Sequence, residues 1–154
     1  MQAHSARLIR SLTLITLDAG LAEDAAQEAF LQLHLHWRDP AIKDRVTWLY
    51  RVAINRSKDY RRALRRATGL TQRLSERYDE QTVESWSPDP DLVAIVRSLP
   101  KRQRTATALF YLAGFSSREI AAAMGISEGA GQPLHAHCCS TWDPECPIAA
   151  TYRN

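Results

Sequence analysis

The sequence predicts an all-α protein made of two small helical domains joined by a flexible linker. Apolar residues recur at helical spacing up to about Arg66 and again from Asp91. Between them, residues 67–90 lose this periodicity, turn polar and include Pro88 and Pro90, which is typical of a linker. With 154 residues and 45% hydrophobic content, the chain can supply a core for one ordinary domain or two small ones. We therefore divide the chain into a first domain (1–66), a linker (67–90), a second domain (91–130) and a tail (131–154).

Two helices are predicted before the first proline. The first covers Ala3 to Leu17, where apolar residues follow helical spacing until the stop at 18–20. The second covers Leu21 to Trp37 and ends before Pro40, which excludes the preceding residue from the α region. Its apolar stripe is expected to face the core and consists of Ala26, Ala29, Phe30, Leu33 and Trp37.

A long basic helix is predicted next, from between Lys43 and Thr47 to about Arg66. Its segment from residue 48 to residue 66 carries seven cations and the single anion Asp59. A solvated helix usually mixes both signs of charge for i,i+4 pairing, so phosphates are a better partner for this surface. A basic surface without a function is the alternative when this helix is considered by itself. The apolar face is expected to be buried and includes Trp48, Leu49, Val52, Ala53 and Leu64.

The second domain begins with two helices separated by a proline. Apolar spacing over 92–99 predicts one helix, Pro100 interrupts it, and another helix follows over 101–114. Ser116 with Glu119 three residues later is a capping-box pattern. This pattern predicts a further short helix from Ser117 to Met124.

The residues that follow have the spacing of a helix-turn-helix. Ala121 is a small residue where two helices would nearly touch, Gly125 suits a tight turn, and Ile126 is an apolar residue that would pin the next helix. Ser127 is a good N-cap for that next helix. The order of these residues predicts a DNA-reading unit.

Composition and charge narrow the function classes. The net charge is only +3, but cations cluster at 43–73 and at 97–104 and make two basic patches. All three cysteines lie in the last 17 residues, which excludes a disulfide framework for the main body. The apolar run at 12–17 is too short for a membrane span or a signal segment, so we expect a cytoplasmic protein without membrane insertion. No phosphate-binding glycine loop, nucleophile elbow or His/Asp pair indicates an enzyme, and no cofactor is expected.

Four motifs follow one another along residues 5 to 130. They read EDAAQEAF at 23–30, TWLYRVAIN at 47–55, LPKRQR at 99–104, and SREIA with GISEG between 117 and 129. In this order they resemble the bacterial RNA polymerase sigma factors of the extracytoplasmic function type. The resemblance implies a factor that recruits core RNA polymerase, recognises promoter DNA and helps to melt the −10 element, without catalysis of its own. It also implies an anti-sigma factor as a partner.

The resemblance further implies which residues make these contacts. In such sigma factors the DxxQEAF helix docks on the largest polymerase subunit, and the matching residues are Asp24, Gln27, Glu28 and Phe30. The −10 region matches Trp48, Tyr50 and Asn55, where aromatic faces would stack on unpaired bases, followed by Lys58, Arg61 and Arg62, which would hold phosphates. Phe30 and Trp48 fit the core equally well.

The second domain would read the −35 element of the promoter. The resemblance places the helix that starts at Ser127 in the major groove, with Ser117 and Arg118 near the DNA backbone.

The chain departs from the family pattern after residue 130. Where the family continues with a basic amphipathic helix, this chain has Gly131 and Pro133, and Gly129 precedes them. A proline inside a helix costs ~3 kcal/mol, and each glycine costs ~1 kcal/mol relative to alanine. We therefore expect an incomplete recognition helix. A defective or frameshifted copy that docks polymerase but reads the −35 element poorly is the first alternative function.

The tail provides a second alternative, a metal-responsive regulator. His135, His137, Cys138 and Cys139 are residue types that bind zinc or copper, although their spacing is a poor template for a tetrahedral site. An ordinary helix-turn-helix repressor is a third alternative. The acidic motif at 23–30 argues against it, because a repressor has no need for a surface that docks polymerase.

Overall fold

All regular structure in the described part of the chain is helical. The structure is a computed structural model that describes residues 2–68 and 90–127. The predicted all-α fold is confirmed. The helices are α1 (Gln2–Thr16), α2 (Ala19–Leu35), α3 (Arg45–Thr68), α4 (Pro90–Ser98), α5 (Lys101–Tyr111) and α6 (Ser117–Met124).

A tight turn joins α1 to α2. Leu17 lies in the left-handed region at φ 58° while its side chain is buried. The Asp18 side chain then caps α2, because its Oδ1 accepts a hydrogen bond of 2.9 Å from the Leu21 N–H. The predicted stop at 18–20 is therefore the helix boundary, but Ala19 and Gly20 already belong to α2.

Helix α2 packs against both α1 and α3 through small side chains. Phe30 and Leu33 are only partly buried beside this stripe. Trp37 lies beyond the end of α2 and is 55% exposed, so its predicted place in the core is wrong. A turn over residues 36–39, closed by a hydrogen bond from the Asp39 N–H to the His36 carbonyl oxygen, follows α2 directly and takes Trp37 off the helix. The buried residues of α2 are Ala19, Ala22, Ala25, Ala26 and Ala29.

Helix α3 begins at a second aspartate cap and extends beyond its neighbours. Asp44 Oδ1 accepts hydrogen bonds from the N–H groups of Val46 (3.0 Å) and Thr47 (3.2 Å). Leu64 is 42% exposed, so its predicted burial is wrong. Side chains 62–66 are all exposed at this end of α3. The buried face is instead formed by Leu49, Tyr50, Ala53 and Ile54, with Trp48 and Val52 partly buried.

The remaining helices follow the predicted breaks. Pro100 separates α4 from α5, and the buried Arg104 closes this turn by donating from Nη2 to the carbonyl oxygens of Arg97 and Leu99. Ser116 and Glu119 form the predicted capping box at the start of α6. The helix that would start near Ser127 lies outside the described residues, as do Gly129, Gly131 and Pro133.

The two helical sets, α1–α3 and α4–α6, pack on each other around a continuous core. Helix α5 lies against α1, and α6 lies against α3. At the second contact the rings of Tyr50 and Phe115 have centroids 4.8 Å apart and are tilted by 60°. The sequence analysis did not predict this packing. Within residues 2–68 and 90–127, none of the helices combines the length and the apolar character that a bilayer span requires.

Candidate functional site

The outer face of α2 presents two of the four residues predicted to bind polymerase. Asp24 and Gln27 are exposed. Leu31, four residues after Gln27, is 51% exposed, and Leu35 follows at the same spacing with its side chain also exposed. The sequence analysis missed these two leucines, although apolar residues that continue the spacing of an exposed polar pair were a usable signal. Together Asp24, Gln27, Leu31 and Leu35 form a mixed polar and apolar strip, which we call the α2 strip.

The other two predicted polymerase residues are engaged within the molecule. Glu28 Oε1 lies 3.5 Å from Arg56 Nη2 on α3 and accepts a hydrogen bond of 3.0 Å from Gln32. Phe30 is partly buried and packs against the core. The structure thus places both beside the α2 strip rather than at its centre.

Helix α3 presents a long exposed stripe. Asn55, Lys58 and Arg62 recur at intervals of three and four residues and are all exposed, and Arg51 and Arg65 extend this pattern at either end. The half-buried Trp48 lies at the start of the same stripe, its ring centroid 5.9 Å from that of His36. We call this surface the α3 stripe.

Tyr50 does not lie on that surface. It is 3% exposed, and Phe115 covers its ring. Burial raises the pKa of its hydroxyl, and the Ser11 hydroxyl and the charge of Arg7 offset this only in part. In this arrangement Tyr50 cannot stack on a base, because the face of its ring is already occupied.

The two arginines predicted to hold phosphates differ in their surroundings. Arg61 is half-buried, and its Nη2 donates a hydrogen bond of 2.6 Å to the carbonyl oxygen of Thr16, the last residue of α1. It thereby satisfies a carbonyl that the helix leaves without a partner. Arg62 is exposed, with 73% of its side chain accessible and a weak ion pair at 3.7 Å to Asp59.

An apolar groove of about 790 Å³ opens between the end of α2 and the start of α3. Trp37 forms an exposed platform at its edge, and the Arg45 guanidinium lies 4.7 Å from the centre of the Trp37 ring. Arg45 also donates a hydrogen bond of 3.3 Å to the Trp37 carbonyl oxygen. The aromatic residue that sequence analysis assigned to the core is therefore an exposed residue of the apolar groove.

The helix-turn-helix residues are described only in part. Ser117 is half-buried at the start of α6, and Arg118 is exposed beside it. Gly125 ends α6 in the left-handed conformation at φ 67°, and Ser127, the last described residue, is exposed. The weak metal candidates His135, His137, Cys138 and Cys139 lie outside the described residues. In the part that the structure describes, no group of three or more metal-ligating side chains occurs.

Two family models match the chain, one over each helical set. The family model described as Sigma-70 region 2 matches residues 1–67, and the one described as Sigma-70, region 4 matches residues 91–130. Residues 131–154 lie beyond both matches.

The chain is also similar to individual curated sigma factors. The chain is 30% identical over 141 residues to the ECF RNA polymerase sigma factor SigL of Mycobacterium tuberculosis, with 82% of this chain and 75% of that protein covered. It is 28% identical over 131 residues to the ECF RNA polymerase sigma factor SigM of Bacillus subtilis, covering 82% and 80%. A third relative, the RNA polymerase sigma-E factor of Streptomyces avermitilis, is 28% identical over 125 residues, covering 79% and 69%.

Proposed function

The chain belongs to the sigma-70 family of RNA polymerase sigma factors, of the extracytoplasmic function type. On this basis we propose which of its surfaces binds polymerase and which bind promoter DNA. Its function is promoter-specific initiation of transcription, with core RNA polymerase and promoter DNA as partners. Neither a defective copy nor a metal-responsive regulator receives support from the comparisons. Sigma factors as a class are not enzymes, and we propose that this chain acts in the cytoplasm without catalysis of its own. The anti-sigma factor stays a prediction.

We assign core polymerase binding to the α2 strip. The supporting observation is that Asp24 and Gln27 are exposed next to exposed Leu31, a combination of polar groups that set orientation and an apolar anchor. Glu28 contributes by holding α2 to α3 through Arg56. Phe30 contributes by packing α2 against the core.

A pull-down with purified core polymerase tests this assignment. We expect Asp24→Ala and Leu31→Ala each to weaken retention by about tenfold, the effect of losing roughly 1.4 kcal/mol at an interface. Asp59→Asn is the control, since it changes an exposed acidic residue on α3, outside the strip. Equal loss in the control and in the two variants would contradict the assignment.

We assign promoter phosphate contacts to the α3 stripe. Asn55, Lys58 and Arg62 share one exposed face, and the only acidic residue among them, Asp59, forms just a weak exposed pair. Arg61 positions the end of α1 and lies at the edge of this surface.

Salt dependence of promoter binding provides the readout. Because a phosphate contact releases counterions, Arg62→Gln should reduce the slope of log K against log salt by about one. Arg7→Gln is the control, an exposed cation on α1 that lies off the stripe. An unchanged slope in Arg62→Gln would remove this residue from the interface.

For the unpaired bases of the −10 element we propose Trp37 and Trp48 as stacking surfaces. Both are at least partly exposed, Trp48 at the start of the α3 stripe and Trp37 at the edge of the apolar groove, where Arg45 stacks on it. Tyr50 would contribute only in an arrangement in which Phe115 leaves its ring. Trp37→Ala should weaken binding of a single-stranded −10 fragment by roughly 1–3 kcal/mol, whereas Tyr50→Phe should leave it unchanged. Fluorescence titration of the fragment measures both.

The −35 assignment of Ser117, Arg118 and Ser127 stays a proposal that rests on the match to Sigma-70 region 4. Arg118 is exposed at the start of α6, where a cation can reach a phosphate. Arg118→Gln should weaken binding to all promoter fragments alike, because phosphate contacts carry no base information. A loss restricted to one −35 sequence would contradict the backbone role.

A further inference from the structure

A basic cleft lies where α1, α3 and α5 meet. Its volume is about 160 Å³, far smaller than the apolar groove at Trp37. Half of the residues that line it are cations, and none carries a carboxylate. The five cations are Lys58, Arg61, Arg62, Arg65 and Lys101.

The packing of α5 on α1 concentrates like charges at this place. Burial lowers the pKa of Lys58, and the positive charges of Arg62 and Arg102 lower it further. Asp59 acts in the opposite direction. Bringing the first turn of α5 next to α3 therefore raises the local positive potential, and an anion bound here would relieve it.

The cleft also has fixed donors for an anion. Arg61 is held in place by its hydrogen bond to the Thr16 carbonyl oxygen, which reduces the side-chain entropy lost on binding. Lys101 is the first residue of α5, and no side chain caps this helix at Pro100. The positive end of the α5 dipole thus lies at the same edge as the cations.

The size of the cleft restricts the ligand. At about 30 Å³ for each water of liquid volume, it has room for roughly five waters. That space fits two or three linked phosphate groups, whereas a nucleobase attached to them would remain outside. Linked phosphates also match several cations at once, which a single monovalent anion does not.

We propose that this cleft binds a small linear polyphosphate, of the pyrophosphate or triphosphate class, between the two helical sets. The binding itself depends only on the cleft and does not require the DNA assignment. Its consequence does rest on the proposed function: the ligand would occupy Lys58 and Arg62 of the α3 stripe and hold α5 against them. Polyphosphate and promoter DNA would then compete for the same cations.

Calorimetric titration of the full chain with sodium triphosphate tests the proposal, with sodium sulfate at equal ionic strength as the reference. We expect one saturable site per chain for triphosphate and a rise in Tm, because the ligand binds only the folded state. Arg65→Gln should weaken the affinity about tenfold. The matched control Arg66→Gln, an exposed cation outside the lining, should change it by less than about twofold.

Three results would overturn the proposal: no saturable binding, equal binding of sulfate, or equal weakening in Arg65→Gln and Arg66→Gln. A parallel titration with a nucleoside triphosphate identifies the source of the phosphates, since equal affinity means that only the phosphate chain is read. Duplex promoter binding, measured on the same samples, keeps the two claims separate. If the unmodified chain binds promoter DNA but no triphosphate, the cleft alone is rejected; if it binds triphosphate but no promoter DNA, only the DNA assignment is rejected.

Discussion

The Tyr50 hydroxyl is buried, and no described residue meets it in good hydrogen-bond geometry: the nearby Ser11 hydroxyl donates to the Arg7 carbonyl oxygen instead. A buried hydroxyl without a partner costs about 1–3 kcal/mol. Tyr50→Phe removes this group and keeps the ring contact with Phe115, so we expect the free energy of unfolding to stay equal or to rise by about 1 kcal/mol. Urea unfolding measures the change. A loss of more than 1 kcal/mol, on the scale of a net hydrogen bond, would reveal a partner for this hydroxyl.

The same residue predicts how stability responds to alkaline pH. Since the pKa of Tyr50 is raised in the folded state, its stabilising contribution is fully present below the unfolded pKa of about 10 and is lost as pH rises through the folded pKa. Wild type should therefore lose stability above pH ~10 more steeply than Tyr50→Phe. If the stability of wild type and of Tyr50→Phe fell equally as pH rises, ionisation of Tyr50 would be rejected as a cause of alkaline unfolding.

Single residues were also where the sequence was least informative. Helical spacing cannot distinguish a buried apolar residue from an exposed one once the neighbouring helix ends, which is why Leu64 was assigned to the core. Trp37 was misplaced for a related reason, because it continues the spacing of α2 after the helix has stopped. The exposure of Leu31 was missed as well, although its spacing from Gln27 was a usable signal.

At the scale of an element, the aspartate cap of α3 gives a measurable effect. Asp44 accepts two backbone hydrogen bonds and one from the Thr47 hydroxyl, and the last of these is the main reason that the pKa of its carboxyl is lowered. Asp44→Ala should cost about 1 kcal/mol of stability. Asp59→Ala, which removes an exposed ion pair on the same helix, should cost less than about 0.5 kcal/mol.

The stability that the Asp44 cap contributes should also depend on pH in the acid range. Because the folded pKa of Asp44 is depressed, its contribution is present above the unfolded pKa of about 3.9 and is lost as pH falls through the folded value. The stability difference between wild type and Asp44→Ala should therefore shrink towards low pH. A difference that stays constant below pH ~3 would show that the carboxylate charge is not involved.

At two glycines, backbone conformation decides whether substitution by alanine raises or lowers the stability of the protein. Gly125 closes α6 at φ 67°, where an L-side chain costs roughly 1–2 kcal/mol, so Gly125→Ala should destabilise the protein by about that amount. Gly20 lies inside α2, and a Cβ there would meet its nearest neighbour at an ordinary 3.7 Å. Gly20→Ala should therefore stabilise by up to about 1 kcal/mol. Thermal unfolding of the pair gives both signs in one experiment.

Elements were more predictable than single residues because their boundaries depend on local chemistry. The capping box of Ser116 and Glu119 and the break at Pro100 both appear where the sequence indicates. The contact between α3 and α6 has no such local signal. It joins residues far apart in the chain, so spacing arguments had no means of finding it.

At the scale of the whole molecule, one core joins the two helical sets, and Phe115 is the residue that tests this. Its ring is buried and packs on Tyr50 across the boundary. Truncating a buried aromatic costs about 3–5 kcal/mol, and here part of that loss falls on the contact between the sets rather than within either one. Phe115→Ala should thus uncouple them while α1–α3 keep their own core.

Hydrogen exchange read by mass spectrometry distinguishes uncoupling from uniform loss of stability. In wild type, α1–α3 and α4–α6 should exchange together, because a shared core opens as one cooperative unit. In Phe115→Ala, exchange in α4–α6 should rise well above exchange in α1–α3. Phe110→Ala is the control, since Phe110 stacks on its neighbour Tyr111 at 5.0 Å within α5. If both sets accelerated equally in Phe115→Ala, the sets would still open as one unit, and contacts other than the one between Phe115 and Tyr50, such as that between α1 and α5, would hold them together.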